Sequence, residues 1–218
     1  YRQFYQFGFE IIGTRKSIAD ATVIRLTLLI LKEAGLKNLT IRINSIGDQD
    51  CRPIFKRELL NYYKKHAKEI CADCRERLKN NPLRVLDCKD PKCQPIKKKA
   101  PESVSYLCGE CKTHFKEVLE YLEMMGITYE IDNSLVRGLD YYSHTVFEIV
   151  KNEEAVEETA DGKEKPEGTT REPLALAGGG RYNYLAKMLK SKKDVAAVGA
   201  SIGVDRVISL PEYSKLVP

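Results

Sequence analysis

The first hydrophobic pattern in the chain has a period of two, which is typical of a β-strand. Over residues 3–12 one face is aromatic or aliphatic, whereas the other carries Gln6 and Glu10. Two polar side chains on one face of a strand are unusual if that face packs against a core. The pattern therefore predicts that this face has a role other than packing.

The next segments alternate between helix and strand. Ser17 followed by Asp20 resembles a capping box, so a helix is predicted to begin there and to end at Gly35. Residues 39–44 predict a second strand, and a loop leads from it into a helix over 52–70. This order indicates an α/β or α+β fold.

The second half returns to this pattern after a segment, 71–111, that is rich in cysteine, proline and lysine. A helix is predicted over 112–126, and strands over "ITYEID" and over 135–148. Residues 152–172 are polar and low in aromatic residues, which predicts a flexible, solvated loop. The two remaining segments, "LALAGGGRYNYLAKML" and "AAVGASIGVDRVISL", each predict a strand followed by a helix.

Composition excludes some classes of protein. The chain has 218 residues, of which 43% are hydrophobic, enough for one large domain or a medium domain carrying a smaller one. No segment approaches the roughly 20 apolar residues of a membrane span, and no signal peptide is predicted. A net charge of +5 is compatible with a nucleic-acid partner without indicating one. Seven cysteines without an export signal favour a reducing compartment, by default the cytoplasm.

Two Cys-x-x-Cys pairs suggest a metal site in the middle segment. Paired thiolates of this kind can hold a structural Zn²⁺ in a segment that has little core of its own. Residues 75–107 separate the pairs, a wider gap than is typical of a zinc ribbon, and free thiols are the alternative. Cys93 is a reserve ligand, and Cys88 has the surroundings of a packed thiol. The four predicted ligands are Cys71, Cys74, Cys108 and Cys111.

Polar side chains recur where strand residues should face a core. They are Gln6 and Glu10; Arg137, Tyr141 and Tyr142; Arg181 and Tyr182; and, after a strand, Arg206. Together they predict a sheet with one face that forms the floor of a ligand site. The arginines indicate an anion, phosphate or carboxylate, because guanidinium binds these groups in a bidentate manner. The sequence has no P-loop and no dinucleotide-binding fingerprint, so a nucleotide would be held by arginines on an antiparallel sheet.

Six segments carry a resemblance to a known family. In order they are "YRQFYQFGFEIIG", "INSIGD", "NPLRVLDCK", "LVRGLDYYSHTVFE", "AGGGRYNYL" and "GASIGVDRV". They resemble segments of the histidyl-tRNA synthetases, from the end of class II motif 2 to motif 3. The resemblance implies an α+β fold in which helices flank an antiparallel sheet, with a small cysteine-rich helical insertion.

The resemblance also implies roles for individual residues. Glu10 and Tyr142 would bind the imidazole of histidine with Tyr141 beside them, and Gln6 and Tyr182 would bind its backbone atoms. Arg137 would be the catalytic residue, between the histidine carboxylate and the α-phosphate of ATP. Arg206 and Gly203 would contact ATP, which brings Mg²⁺. The implied activity is ATP-dependent activation of histidine and its transfer to tRNA(His).

The same resemblance implies a domain organisation. Residues 1–70 and 112–218 would be two parts of a catalytic core, and 71–111 would be the insertion, with Zn²⁺ possible there. Motif 1, the first half of motif 2 and the anticodon-binding domain are not represented, so a partial catalytic domain is expected. A homodimer is implied for the whole protein. Lys97, Lys98 and Lys99 could contact tRNA phosphates, although such a run is also typical of a solvated loop.

The sequence is also compatible with two other functional interpretations. A synthetase-like, histidine-sensing regulatory subunit of ATP phosphoribosyltransferase would share "RGLDYY", but "INSIGD", "NPLRVLDCK" and the cysteine-rich segment are not expected there. A non-enzymatic zinc and nucleic-acid-binding module would leave Glu10, Arg137 and Tyr142 unexplained.

Overall fold

A six-stranded sheet organises the chain. The computed structural model describes residues 3–138, 140–152 and 173–214. The strand order is β1-β6-β5-β4-β2-β3, and neighbouring strands are antiparallel except β2 and β3, which are parallel. The strands are β1 Gln6–Ile12, β2 Leu39–Ser45, β3 Tyr129–Ile131, β4 Ser143–Lys151, β5 Leu174–Arg181 and β6 Ala197–Gly203. The predicted α+β fold with helices flanking a largely antiparallel sheet is confirmed.

The helices lie between these strands. They are α1 Ile18–Glu33, α2 Arg52–Lys65, α3 Ala72–Asn80, α4 Gln94–Lys97, α5 Gly109–Met124, α6 Leu185–Met188, α7 Val204–Ile208 and α8 Pro211–Ser214. Short 3₁₀ turns at Pro82–Val85, Pro91–Cys93 and Ser103–Tyr106 complete the cysteine-rich segment. Within the described ranges, no helix is both long and apolar enough to cross a bilayer.

One face of the sheet is apolar and carries α1 and α5. Phe9 and Ile11 of β1 join Val198, Ala200 and Phe147 in a core with the buried residues of these two helices. The pattern of period two therefore assigns the aliphatic face of β1 correctly, and it leaves Gln6 and Glu10 on the opposite face. The part of that opposite face around Glu10 is left to form a site.

A second core joins the cysteine-rich segment to the sheet. Phe55, Leu59 and Tyr63 of α2 pack with buried residues of the cysteine-rich segment, and Tyr142 and Val146 belong to the same cluster. The segment that precedes β4 is therefore held between α2 and the sheet. The predicted three-part division of the chain stays a prediction. The loop predicted over 152–172 lies, beyond Asn152, outside the described residues.

Two local predictions differ from the structure. The strand expected over 135–148 begins only at Ser143, so Arg137 lies in the loop that crosses the polar face of the sheet. The capping box at Ser17 does not form, because the Ser17 hydroxyl donates to Glu117 at 2.5 Å. Asp20 is fully buried and is bound instead by Arg181.

Candidate active site

Strand register places small and polar residues in rows across the exposed face of the sheet. Glu10 in β1 pairs with Gly199 in β6. In the next row on the same face, Gly178 of β5 lies between Ser201 and Glu148. Same-face rows are about 7 Å apart, because a strand rises about 3.3–3.4 Å per residue. The face is therefore a flat floor with carboxylates at defined positions.

Glycines in this floor make room for two charged side chains. A Cβ atom at Gly178 would lie 2.5 Å from Nη1 of Arg137, and one at Gly199 would collide with the carboxylate of Glu10. Any larger residue at either position would displace these side chains. Because these positions are glycine, the side chains of Arg137 and Glu10 can pack directly against the backbone of the sheet.

Arg137 occupies the centre of this floor. Its Nη1 donates to Oε1 of Glu148 at 2.7 Å, and its Cζ lies 5.7 Å from the centroid of the Tyr142 ring. Burial raises the pKa of Glu148 above its usual range, although the nearby guanidinium opposes the shift. Arg137 is therefore a half-buried cation held by one carboxylate and one aromatic face.

At one end of the floor, a cluster of three tyrosines lies beside the exposed carboxylate of Glu10. The Tyr182 hydroxyl donates to Oε2 of Glu10. The Tyr141 and Tyr142 rings lie 4.5 Å apart, and the Tyr182 ring lies 5.7 Å from Tyr141 and 6.3 Å from Tyr142. This end offers one carboxylate, phenol groups and aromatic faces, which suits a small ring that carries an N–H group.

Tyr141 and Tyr182 remain neutral hydrogen-bonding groups at neutral pH. Burial, and then the hydrogen bond to Glu10, raise the pKa of Tyr182 far above its usual value. Burial and the neighbouring Tyr142 raise the pKa of Tyr141 in the same way. Neutral phenols can both donate and accept hydrogen bonds to a polar ligand.

At the other end, a cavity of about 760 Å³ opens beside Arg137. Gln6, Gly203 and Arg206 line it together with Arg137 and Glu148. Arg206 also donates through Nη1 to the carbonyl oxygen of Ala175. All eight residues predicted from the sequence for the small-molecule substrates therefore lie on one face, in two groups that meet at Arg137. Their individual roles stay predictions.

Arg181 is the exception among the predicted polar floor residues. It is completely buried, and its guanidinium binds Asp20, the carbonyl oxygens of Thr14 and Lys16, and the side chain of Asn183. Burial alone would raise the pKa of Asp20, but the His114 ring, whose Nε2 lies 3.4 Å from Oδ2, and the hydrogen bonds from Arg181 hold the pKa below its usual range. Arg181 therefore fastens the loop before α1 to the end of β5 and does not face a ligand.

The structure corrects the predicted zinc ligand set. Cys71, Cys74, Cys108 and Cys111 do not converge; each Cys-x-x-Cys pair belongs to a different cluster. Cys71 is the N-cap of α3 and Cys108 is the N-cap of α5. These two helix N-termini meet different partners, which sequence spacing alone does not reveal.

The first cluster joins Cys71 and Cys74 to Cys88 and to Cys93, the reserve ligand of the sequence prediction. Sγ of Cys71 lies 3.8 Å from that of Cys88, and Sγ of Cys93 lies 3.9 Å from that of Cys74. Four thiolates about 2.3 Å from a tetrahedral Zn²⁺ lie about 3.8 Å from one another, so the cluster fits this ion. Cys88, expected to be a packed thiol, is part of the set.

The second cluster consists of Asp48, Cys51, Cys108 and Cys111, whose ligand atoms also lie within 4.8 Å of one another. Sequence reasoning missed Asp48 and Cys51 here, although Asp-x-x-Cys has the spacing of Cys-x-x-Cys. It also missed Glu148, which alternation in 143–151 could have placed on the polar face.

Histidine–tRNA ligases are similar to this chain over nearly its whole length. No protein-family model matches the chain. A histidine–tRNA ligase of Halothermothrix orenii is 41% identical over 208 residues, which cover 95% of this chain and 46% of the relative. One of Bacillus subtilis is 40% identical over 215 residues, 99% of this chain and 47% of the relative. The chain thus spans about half the length of the curated relatives that it matches.

Solved structures give the same picture. The apo histidyl-tRNA synthetase of S. aureus matches with a TM-score of 0.69 and 34% identity, over 95% of this chain and 47% of that chain. A protein of Bacillus halodurans described as an ATP phosphoribosyltransferase regulatory subunit/histidyl-tRNA synthetase matches with a TM-score of 0.54. The match covers 94% of this chain and 52% of that protein's chain. At 22% identity, it supports the fold alone.

Proposed function

We propose that this chain belongs to the histidyl-tRNA synthetase family and that its polar sheet face binds histidine and ATP and joins them as histidyl-adenylate. The observation that carries the proposal is the position of Arg137. It lies between a carboxylate–tyrosine pocket at Glu10 and a cavity of about 760 Å³ that Arg206 also lines. One floor thus offers an imidazole pocket, a central cation and a polyphosphate cavity in that order.

Histidine binds at the Glu10 end. The carboxylate of Glu10 accepts a hydrogen bond from an imidazole N–H, and the phenol of Tyr182 keeps the carboxylate in place. Tyr142 and Tyr141 close the aromatic side of the pocket. An amino acid without the N–H group cannot make this second hydrogen bond to the carboxylate, which makes the pocket selective. Gln6 lines the cavity on the other side of Arg137 and would hold the backbone atoms of the amino acid where they extend from the pocket towards that cavity.

The chemistry at Arg137 is a nucleophilic substitution at phosphorus. A histidine carboxylate oxygen forms a bond to the α-phosphorus of ATP while the bond to pyrophosphate breaks, which gives histidyl-adenylate and pyrophosphate. Arg137 stabilises negative charge on the α-phosphate and orients both reactants. In the second step a tRNA hydroxyl attacks the histidyl carbonyl and AMP leaves.

The triphosphate occupies the cavity beside Arg206 and Gly203. Mg²⁺ accompanies ATP and neutralises phosphate charge when it is bound. Glu148 and Asp205 are carboxylates on the wall of this cavity and are the oxygen ligands that the chain offers to such an ion. Arg206 contacts the terminal phosphates from the start of α7.

A structural Zn²⁺ in the cysteine-rich segment is part of the proposal, with the corrected ligands. The group fits because Cys71, Cys74, Cys88 and Cys93 bring four sulfur atoms within 4.8 Å of one another. Four thiolates leave no open position, so this ion stabilises the fold of residues 71–111 and takes no part in the reaction.

The remaining parts of the proposal concern the whole protein. In the whole protein tRNA(His) is the second substrate, and its phosphates contact Lys97, Lys98 and Lys99 of the cysteine-rich segment, of which the last two are exposed. The whole protein forms a homodimer. Its catalytic core has two parts, residues 1–70 and 112–218, and residues 71–111 are an insertion between them. Seven free cysteines support a reducing, cytoplasmic location.

Histidine-dependent ATP–pyrophosphate exchange, measured with the full-length protein as parent because a partial catalytic domain is not expected to complete the reaction, tests the proposed function. Arg137→Ala should abolish exchange while it weakens histidine binding, measured by calorimetry, only modestly. Arg137→Lys is the matched control for charge without the bidentate geometry, and it should restore only part of the activity. Near-normal exchange in Arg137→Ala contradicts the proposal. Histidine binding without any exchange in the parent would favour a histidine sensor.

A further inference from the structure

We propose that Asp48, Cys51, Cys108 and Cys111 form a second, structural Zn²⁺ site, which holds the tyrosine segment of the histidine pocket in place. Its ligand atoms all lie within 4.8 Å of one another. Sγ of Cys51 lies 3.7 Å from Sγ of Cys111, and Sγ of Cys108 lies 3.7 Å from Oδ2 of Asp48. These separations match a tetrahedron about 2.0–2.3 Å around one Zn²⁺ ion.

The local backbone is arranged to support thiolates. The backbone N–H of Asp48 donates to Sγ of Cys51 at 3.3 Å, and that of Cys111 donates to Sγ of Cys108 at 3.5 Å. Cys51 and Cys108 are the N-caps of α2 and α5, where the helix dipoles favour negative charge. Both halves of the cluster thus have the hydrogen bonds that metal-bound sulfur needs.

Gly47 makes the turn into this site possible. Its φ is +70°, and a Cβ atom there would collide with Sγ of Cys51. The Oδ1 atom of Asp48 accepts from the backbone N–H of Asp50 and of Cys51, both at 3.0 Å, which directs Oδ2 towards Cys108. The loop after β2 is therefore shaped so that one carboxylate oxygen remains for the ion.

The ligand chemistry selects the metal. Three thiolates and one carboxylate, three of the four residues buried, suit Zn²⁺ and leave no open position. The site is therefore closed and structural. It joins the start of α2 to the start of α5, elements separated by the whole cysteine-rich segment.

Two contacts link this site to the histidine pocket. Arg52, the residue after Cys51, donates to the carbonyl oxygens of Asp140 and Tyr142. On the other side, Nδ1 of His144 lies 3.6 Å from Sγ of Cys111. The segment 140–144 is thus held from both ends by residues at the ion. This second part of the inference rests on the proposed function, because it concerns histidine affinity.

Metal content tests the site without reference to activity. The purified protein should contain two equivalents of Zn²⁺ by mass spectrometry. Cys51→Ser and Cys108→Ser should each contain one, and so should Cys74→Ser, which removes the other ion and is the matched control. Cys51→Ser combined with Cys74→Ser should contain none. Asp48→Cys, which completes a four-thiolate set, should keep two equivalents even if Cys51→Ser folds poorly.

One equivalent in the parent protein that Cys74→Ser removes and Cys51→Ser retains would overturn the second site. A disulfide between Cys51 and Cys111, seen as two missing thiols in the unfolded, unreduced protein, would overturn it too. Histidine affinity then tests the link: Cys51→Ser should weaken it by about tenfold, in the range typical of supporting residues around a metal, and the exposed Glu33→Gln on α1 should not. Equal affinities with one ion lost would overturn the positioning role. Failure of the parent to bind histidine would instead contradict the proposed function, and the metal count would stand.

Discussion

Nη1 of Arg137 and Oε1 of Glu148 lie 2.7 Å apart above Gly178, so the central cation of the site is paired and aligned before any ligand binds. A half-buried arginine without a partner would be costly, and the carboxylate offsets that cost. Under the proposed function, a phosphate would therefore meet a guanidinium that already has a fixed position and has N–H groups beyond the one bound by Glu148. Preorganised charge of this kind is often the largest contribution to catalysis.

Gly178→Ala should reproduce much of the defect of Arg137→Ala without a loss of stability. The three atoms nearest to the added methyl group all belong to the end of the Arg137 side chain, which can move away at little cost to the fold. Losing an aligned donor typically lowers the rate by about 10²–10³-fold. Pyrophosphate exchange and urea unfolding, measured together, check this.

The matched control for that variant is Gly109→Ala, since a Cβ atom at Gly109 meets nothing within 4 Å. It should leave exchange close to the parent rate. If Gly178→Ala were as active as Gly109→Ala, the seating of Arg137 on the sheet would have no role in the reaction.

Glu10→Gln should weaken histidine binding on the order of 10–100-fold, because a hydrogen bond to a charged group contributes about 1.5–3 kcal/mol. Gly199→Ala should weaken it similarly, since the new methyl group would occupy the space of the Glu10 carboxylate. Calorimetric titration with histidine measures both. Glu130→Gln, at the far edge of the sheet on β3, is the control. If Glu10→Gln bound histidine as tightly as the parent does, Glu10 would not be the residue that binds the imidazole.

Asp20→Asn should lower the free energy of unfolding by about 3–5 kcal/mol, the usual cost of breaking a buried ion pair. Arg181 would keep its charge, fully buried, without its carboxylate partner. Urea denaturation checks this, with the exposed Glu33→Gln on the same helix as control. A loss no larger than in Glu33→Gln would show that the pair is not holding α1 to β5.

The same pair predicts a pH dependence. The pKa of Asp20 is lower in the folded chain than its ordinary value of 3.8. Its contribution to stability is therefore complete above that ordinary value and is lost as the pH falls through the lower folded value. Stability of the parent should decline more steeply below pH about 4 than that of Asp20→Asn. Parallel curves would contradict this.

Cys74→Ser should loosen residues 71–111 before the sheet. Its sulfur lies 3.9 Å from that of Cys93, and both belong to the four-thiolate cluster. Hydrogen exchange followed by mass spectrometry should show faster exchange in α3 and unchanged protection in β4 and β5. Uniform loss of protection, or none, would argue against a local metal-dependent unit.

Sequence patterns predicted the sheet face well and the metal ligands poorly, for a physical reason. Alternation in β1 separates Glu10 from Phe9 and Ile11 because the side-chain period of a strand is fixed. The partner of a Cys-x-x-Cys pair, by contrast, depends on how distant helix ends pack. Cys74 and Cys111 therefore separate into different clusters although their local sequences are alike.

Arg181 is a second residue whose surroundings the sequence pattern does not predict. An arginine after "AGGG" on a strand that carries a site is expected at the site, and only the tertiary fold reveals that it points to Asp20. Arg137 was expected on a strand and lies in a loop, yet the prediction that it belongs to the polar floor holds, because that floor is set by the glycines of β5.

The most direct test is a crystal structure of the protein with a non-hydrolysable histidyl-adenylate analogue. The imidazole should lie within hydrogen-bonding distance of Glu10, and Arg137 should bind the phosphate-mimicking group, with the nucleotide extending towards Arg206. An analogue bound elsewhere, or bound here with its imidazole away from Glu10 and its phosphate mimic away from Arg137, would contradict the account.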